Sequence, residues 1–308
     1  MMNAAAAPSS RRLRVTLAGL ALAAAALAQA PAQAALSFTL ELVDPNGAAS
    51  SFKDQIHSHV AAALFHWGQH IDASATISVQ FHVTDAVERA AGTSATSAWV
   101  GFDGARHVYD QGLSHKLRTG IDANGAAPDV LLYFSPTYLS TELWFDADPF
   151  ARSAPVAANR TDAVSIFIHE FGHALGYNGW GDLTTGALPA GYASTWDTLT
   201  RWDGQTLWFT GAAAMQVYGG AVPLTAGNNF HVGNAWGAGS DLLSDIMNGV
   251  VMERGTRYRI GALNVAMLSD LGLPMVMVVP EPAQWALLSS GLLVLGWLQR
   301  RRRAPSAR

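Results

Sequence analysis

The pentapeptide His169-Glu170-Phe171-Gly172-His173 sets two imidazoles four residues apart, with a carboxylate next to the first. On a helix, positions i and i+4 share one face a turn apart, so both rings can offer a nitrogen to one ion. Glu170 projects about 100° around the helix from His169. It stands clear of the ligating edge yet within reach of a water held there, as a general base must. The spacing predicts metal-assisted amide hydrolysis, with zinc polarising the carbonyl and acidifying water while Glu170 passes the proton to the leaving amine. The ideal Zn–N distance of about 2.0–2.1 Å is one this helical face can satisfy, and a catalytic zinc takes three protein ligands with a fourth position open. The chain has no cysteine, so the third ligand must be His, Asp or Glu.

With Gly176 the motif becomes His-Glu-x-x-His-x-x-Gly. In this form it resembles the metzincin clan of zinc metallopeptidases, where the glycine lets the chain turn sharply off the active-site helix. In most of that clan the third ligand follows three residues after the glycine. Here that position is Gly179, and Asp182 is out of register. An aspartate beside glycines is more often a turn former. Downstream of Gly176 stands a single histidine, His231, followed by Asp245-Ile246-Met247-Asn248. This is similar to the leishmanolysin-like metzincins, which place a long insertion before the third histidine and a methionine turn after it. The resemblance implies His231 as third ligand, Met247 as the hydrophobic floor of the metal, Gly176 as the helix-ending turn, and one Zn2+ per chain. A site with two protein ligands would bind zinc poorly, which points the same way.

The chain also departs from that pattern. Leishmanolysin-like enzymes are rich in disulfides and held latent by a cysteine. Some metzincins carry a tyrosine two residues after the methionine, where this chain has Gly249. Tyr258, Arg257 or a backbone N–H are the candidates for stabilising an oxyanion. The expected activity is that of a zinc metalloendopeptidase acting on an extended polypeptide bound along an edge strand. The rival is a non-catalytic surface or biofilm-matrix protein with a structural metal. Such a site would have no use for Glu170 and would be closed by a fourth protein ligand.

The elements that must position these residues are legible in part. Phe52, Ile56, Val60, Leu64, Trp67 and Ile71 recur at helical spacing over 52–71. His66 and His70 ride on that helix at i and i+4, but with no third partner they read as a solvated face. Ile77, Val79, Phe81 and Val83 alternate as a half-buried strand. Residues 92–104, rich in Gly, Ser and Thr, read as loop, and Asp122-Ala123-Asn124-Gly125 as a turn. Residues 129–134 read as a strand buried on both faces. Thr161 is the expected N-cap of a motif helix over 162–175. Some eighty weakly periodic residues follow, and a last helix spans 258–271 with Gly272 as its stop. The expected fold class is α+β: one metzincin-like catalytic domain over 35–279, a twisted sheet with an active-site helix, a long irregular insertion and a C-terminal helix.

Both ends look unlike the middle. Residues 1–34 read as a secretory signal: Arg11, Arg12 and Arg14, then an Ala/Leu-rich run, then Ala32-Gln33-Ala34. Residues 280–308 carry Pro280-Glu281-Pro282, an apolar stretch over 283–298 and Arg300 to Arg303. Sixteen residues rise about 24 Å as a helix, slightly short of a bilayer core. This tail resembles the PEP-CTERM sorting signal of Gram-negative bacteria, which implies membrane association before processing, a partner of the exosortase type, and delivery to the cell surface or beyond. Without its ends the chain keeps 11 basic against 22 acidic residues. That acidic balance of about −11 argues against nucleic acid as a partner. Its roughly 240 residues are enough for a core that needs no disulfide.

Overall fold

Strand alternation opens the folded part at Leu36–Val43 (β1), where Phe38, Leu40 and Leu42 are half-buried and Ser37, Thr39 and Glu41 exposed. The computed structural model describes residues 36–276 and the pair 291–292. One compact unit runs to Met275, and a second covers Val276–Arg308. The expected signal at 1–34 lies outside the described residues, and so does nearly all of the tail segment. Among the described residues no helix is long and apolar enough to cross a membrane.

After β1 come the helix Lys53–Gly68 (α1) and the strands Ala75–Val83 (β2), Ala90–Ser94 (β3), Ser97–Phe102 (β4) and His107–Gln111 (β5). Helix Gly112–Thr119 (α2), strand Val130–Phe134 (β6), the short strands Leu143–Trp144 (β7) and Thr161–Asp162 (β8) and helix Ala163–Leu175 (α3) follow. The insertion contributes Tyr192–Ser194 (β9), Thr195–Thr198 (α4), Thr200–Trp202 (β10), Leu207–Phe209 (β11), Ala212–Tyr218 (α5) and Val222–Pro223 (β12). Ala262–Asp270 (α6) is the last helix of this unit. The chain is therefore a mixed α+β protein.

The main sheet has the order β1-β2-β6-β3. β1, β2 and β6 run parallel, and β3 lies antiparallel to β6 at the edge. Phe81 and Phe134 stack at 4.7 Å on one face of this sheet, and Phe167 of α3 packs on Phe134 at 4.9 Å. All thirteen residues of α3 are buried. α1 braces it from the side, with Trp67 Nε1 donating to the Ile168 carbonyl at 2.9 Å. A helix so enclosed holds its side chains on fixed vectors, which a metal or catalytic site needs.

Several sequence expectations change. Residues 92–104 are the end of β3 and all of β4, not a loop. Their small side chains have a packing reason: a Cβ on Gly92 would lie 2.8 Å from Glu170 Cα, so β3 can cross α3 only without one. Asp162, not Thr161, caps α3, accepting from Ser165 N at 3.2 Å. Buried Arg152 fixes that carboxylate at 2.5 Å and reaches Ser165 Oγ at 2.8 Å. β6 is buried on one face only, since Tyr133 is half-buried and stacks on His82 at 4.9 Å. The last helix starts at Ala262, leaving Ile260 before it, and Gly272 ends it with φ of +88°. The insertion is not irregular throughout, because it holds the β10-β11-β12 sheet and donates β9 to β4 and β5.

Candidate metal centre

α3 presents His169 and His173 one turn apart, and His231 reaches them from the end of the insertion. The Nε2 atoms of His169 and His231 lie 3.1 Å apart, and those of His173 and His169 3.2 Å apart. One ligand atom from each ring falls within 4.8 Å of the other two. Each ring is oriented by a backbone carbonyl. Nδ1 of His169 donates to Ile246 O at 2.7 Å, that of His173 to Tyr177 O at 2.7 Å, and that of His231 to Asn228 O at 3.2 Å. Carbonyls only accept, so each Nδ1 keeps its proton and each Nε2 is left as a lone pair.

Three lone pairs aimed at one another at 3.1–3.2 Å repel unless positive charge lies among them. Two Zn–N bonds of about 2.0–2.1 Å at a tetrahedral angle separate their nitrogens by about 3.3 Å, so the spacing fits a metal ion. Burial lowers the pKa of all three rings, that of His169 to about 3, which keeps them neutral and able to ligate. Among the described residues these three form a group that could hold a metal ion. His66 and His70 do not form such a group. They are half-buried rather than solvated, in a small cavity shared with Arg152 and Arg259, and two guanidiniums make it unfit for a cation.

Glu170 is buried beside the rings, and burial raises its carboxyl to about pKa 8, opposed by a hydrogen bond from the Gly92 backbone. Met247 is fully buried and sits under α3. A Cβ on Gly172 would meet its Sδ at 2.5 Å, so the glycine inside the motif makes room for the methionine. The Met247 turn is tied to the histidine strand, with Val232 N donating to Met247 O at 3.0 Å and Gly249 N to Val232 O at 3.2 Å. A side chain at 249 would collide with His231 Cβ at 2.7 Å, so no tyrosine fits there. Asn264 of α6 fastens the turn from behind by donating to Asp245 Oδ1 at 2.7 Å. Asp245 in turn accepts from Met247 N at 2.7 Å.

Gly176 closes α3 with φ of +143°, and a Cβ there would also strike Leu271 at 2.7 Å. Asp182 is exposed and caps its own turn, accepting from Thr184 N and Thr185 N at 3.0 and 2.8 Å, away from the histidines. Asp122 likewise closes a turn onto Asn124 N at 2.8 Å. The two named oxyanion candidates do not line the cleft. Tyr258 is buried with its hydroxyl accepting from Glu253 N at 3.0 Å. Arg257 is held by Asp146 at 2.7 Å and lies over Trp144.

The cleft has a volume of about 410 Å³ and is bordered by β3 residues Ala90 to Gly92, by Tyr138, and by Asn248 to Met252. Tyr138 is buried and close enough to Glu170 that the carboxylate joins burial in raising its phenol. It follows β6 in a stretch with no motif, so no signal in the sequence pointed to it. The same holds for Arg89, at the mouth of β3.

Residues 278–303 match the PEP-CTERM protein-sorting motif. That motif implies export, recognition by exosortase-type machinery and surface sorting of the kind found in Gram-negative bacteria. No curated protein and no solved structure matches the chain.

Proposed function

We propose that the chain is an exported, surface-sorted zinc endopeptidase of metzincin type. The observation that carries this reading is the convergence of the His169, His173 and His231 Nε2 atoms in an open cleft beside buried Glu170. His169, His173 and His231 would hold a zinc ion there, and the chemistry it would supply is positive charge to acidify water and polarise a scissile carbonyl. Glu170 takes a proton on its carboxylate and returns it to the leaving amine, a role its place in the same cleft as the three rings allows. β3 is paired with β6 on one side only, and its outer edge borders the cleft, so an extended peptide can add to it through main-chain hydrogen bonds. Tyr138 and Met252 also border a second cavity of about 700 Å³ with Glu88, Arg89 and Arg254 on its walls, room for a substrate side chain.

The test is cleavage of a dye-labelled unfolded protein by the full-length chain with and without Glu170→Gln. The variant should keep about one zinc per chain and lose about 10²–10⁴-fold in rate. Unchanged cleavage by the variant refutes the mechanism. Stoichiometric zinc in a wild-type chain that cleaves no protein favours the structural-metal reading instead.

A further inference from the structure

The insertion builds a separate cleft, about 250 Å³, that shares no wall residue with the cleft of the metal centre. Two tryptophans stand in its walls: Trp202 at the end of β10, 37% exposed, and Trp236 in the loop after His231, 88% exposed. No Asp, Glu, Lys, Arg or His lines it. Gln205, Thr184 and Thr206 do, and no hydrogen bond within the described residues engages the Gln205 amide or the two hydroxyls. The walls are nevertheless fixed. Asn234 donates to Leu224 O at 3.1 Å and Ala238 O at 2.8 Å, which holds the Trp236 loop. Asp203 accepts from Gln205 N and Thr206 N, both at 2.8 Å, which holds the hairpin.

Exposed indole faces without a partner are costly in water and mark binding surfaces. The absence of counter-charge argues against phosphate, carboxylate or ammonium ligands. Unengaged amide and hydroxyl groups argue against a purely apolar peptide, which would bury them unsatisfied. A ligand with apolar C–H faces and neutral hydroxyl edges meets both demands, and the sorting motif takes the chain to where such polymers are accessible. We propose that this cleft binds a neutral oligosaccharide, with pyranose faces against Trp202 and Trp236 and hydroxyls taken by Gln205, Thr184 and Thr206.

The experiment is calorimetric titration of the full-length chain, in a detergent without a sugar headgroup. The ligands are the hexasaccharides of β-1,4-glucose, α-1,4-glucose and β-1,4-N-acetylglucosamine. At least one should bind below the millimolar range, and Trp236→Ala and Trp202→Ala should each weaken it about tenfold. Trp236 is too exposed for its removal to unfold the chain, and near-UV circular dichroism checks Trp202→Ala. Glu170→Gln should bind as wild type does, so this proposal stands or falls apart from the peptidase reading. No heat from any of the three sugars overturns it, and so does undiminished binding by Trp236→Ala. Tighter binding of an oligogalacturonate also overturns it, as does binding of a proline-rich decapeptide where no sugar binds.

Discussion

At the scale of single residues, the candidate centre depends on three Nε2 atoms with protons parked on the far nitrogens. His231 is the one the chain must travel furthest to supply. Replacing it by alanine should lower zinc affinity by more than the roughly 10- to 100-fold that follows loss of a residue which only orients a ligand. Asp182→Ala, which alters only an exposed turn, should leave zinc content unchanged. Atomic absorption on both variants checks the pair, and equal metal loss would remove His231 from the site. Gly172 is equally exacting. Gly172→Ala would drive a methyl group into Met247 Sδ at 2.5 Å and should cost about 1–3 kcal/mol in urea denaturation. Part of that loss should return when Met247 is shortened in the same chain.

At the scale of elements, the centre is where four pieces of chain meet: α3, β3, the His231 segment and the Met247 turn backed by α6. β3 touches α3 so closely that Gly92→Ala must lift the strand off Glu170. We expect proteolysis to fall more than thermal stability does, because the edge strand and the base move together. A variant with a lowered Tm but normal kcat/KM would show that β3 does not serve the cleft. Asn264→Ala should act through the opposite wall by leaving the buried Asp245 carboxylate without its amide donor, at a cost of about 1–3 kcal/mol. Its zinc affinity should fall as well, since Ile246, which orients His169, lies in the same turn.

At the scale of the whole molecule, no disulfide contributes to stability, since the chain has no cysteine. Buried imidazoles make that stability depend on pH. His59 is fully buried, its Nδ1 donating to Gln55 O at 2.8 Å and its Nε2 accepting from Asp146 N at 3.0 Å. Burial holds its pKa below the ordinary value of 6.5. The unfolded chain therefore binds a proton near pH 6.5 that the native chain refuses. The stability this group contributes is full above that pH and is lost as pH falls toward the depressed native pKa. The slope is about 1.4 kcal/mol per pH unit for each such ring, and the three rings of the centre add to it when metal is absent. Urea midpoints at pH 7.5 and 5.5 should differ accordingly, and less so in His59→Gln. A midpoint insensitive to pH would contradict the burial of these rings.

The sequence by itself determined the parts of this protein whose physics is local. Helical spacing placed His169, Glu170 and His173 on one element, alternation marked β2, and the Pro-Glu-Pro tail marked the C-terminal end as an address. Elimination and resemblance together singled out His231. Only the tertiary structure decided what depends on distant neighbours. A glycine at 92 reads as loop until α3 is laid across it, and Tyr138 carries no signal until the cleft closes around it. Trp236 is one tryptophan among ten until the fold leaves it bare over a neutral cleft. The reason is the same in each case: periodicity records which face of an element is buried, while close approach and exposure are set by partners that the neighbouring sequence does not contain.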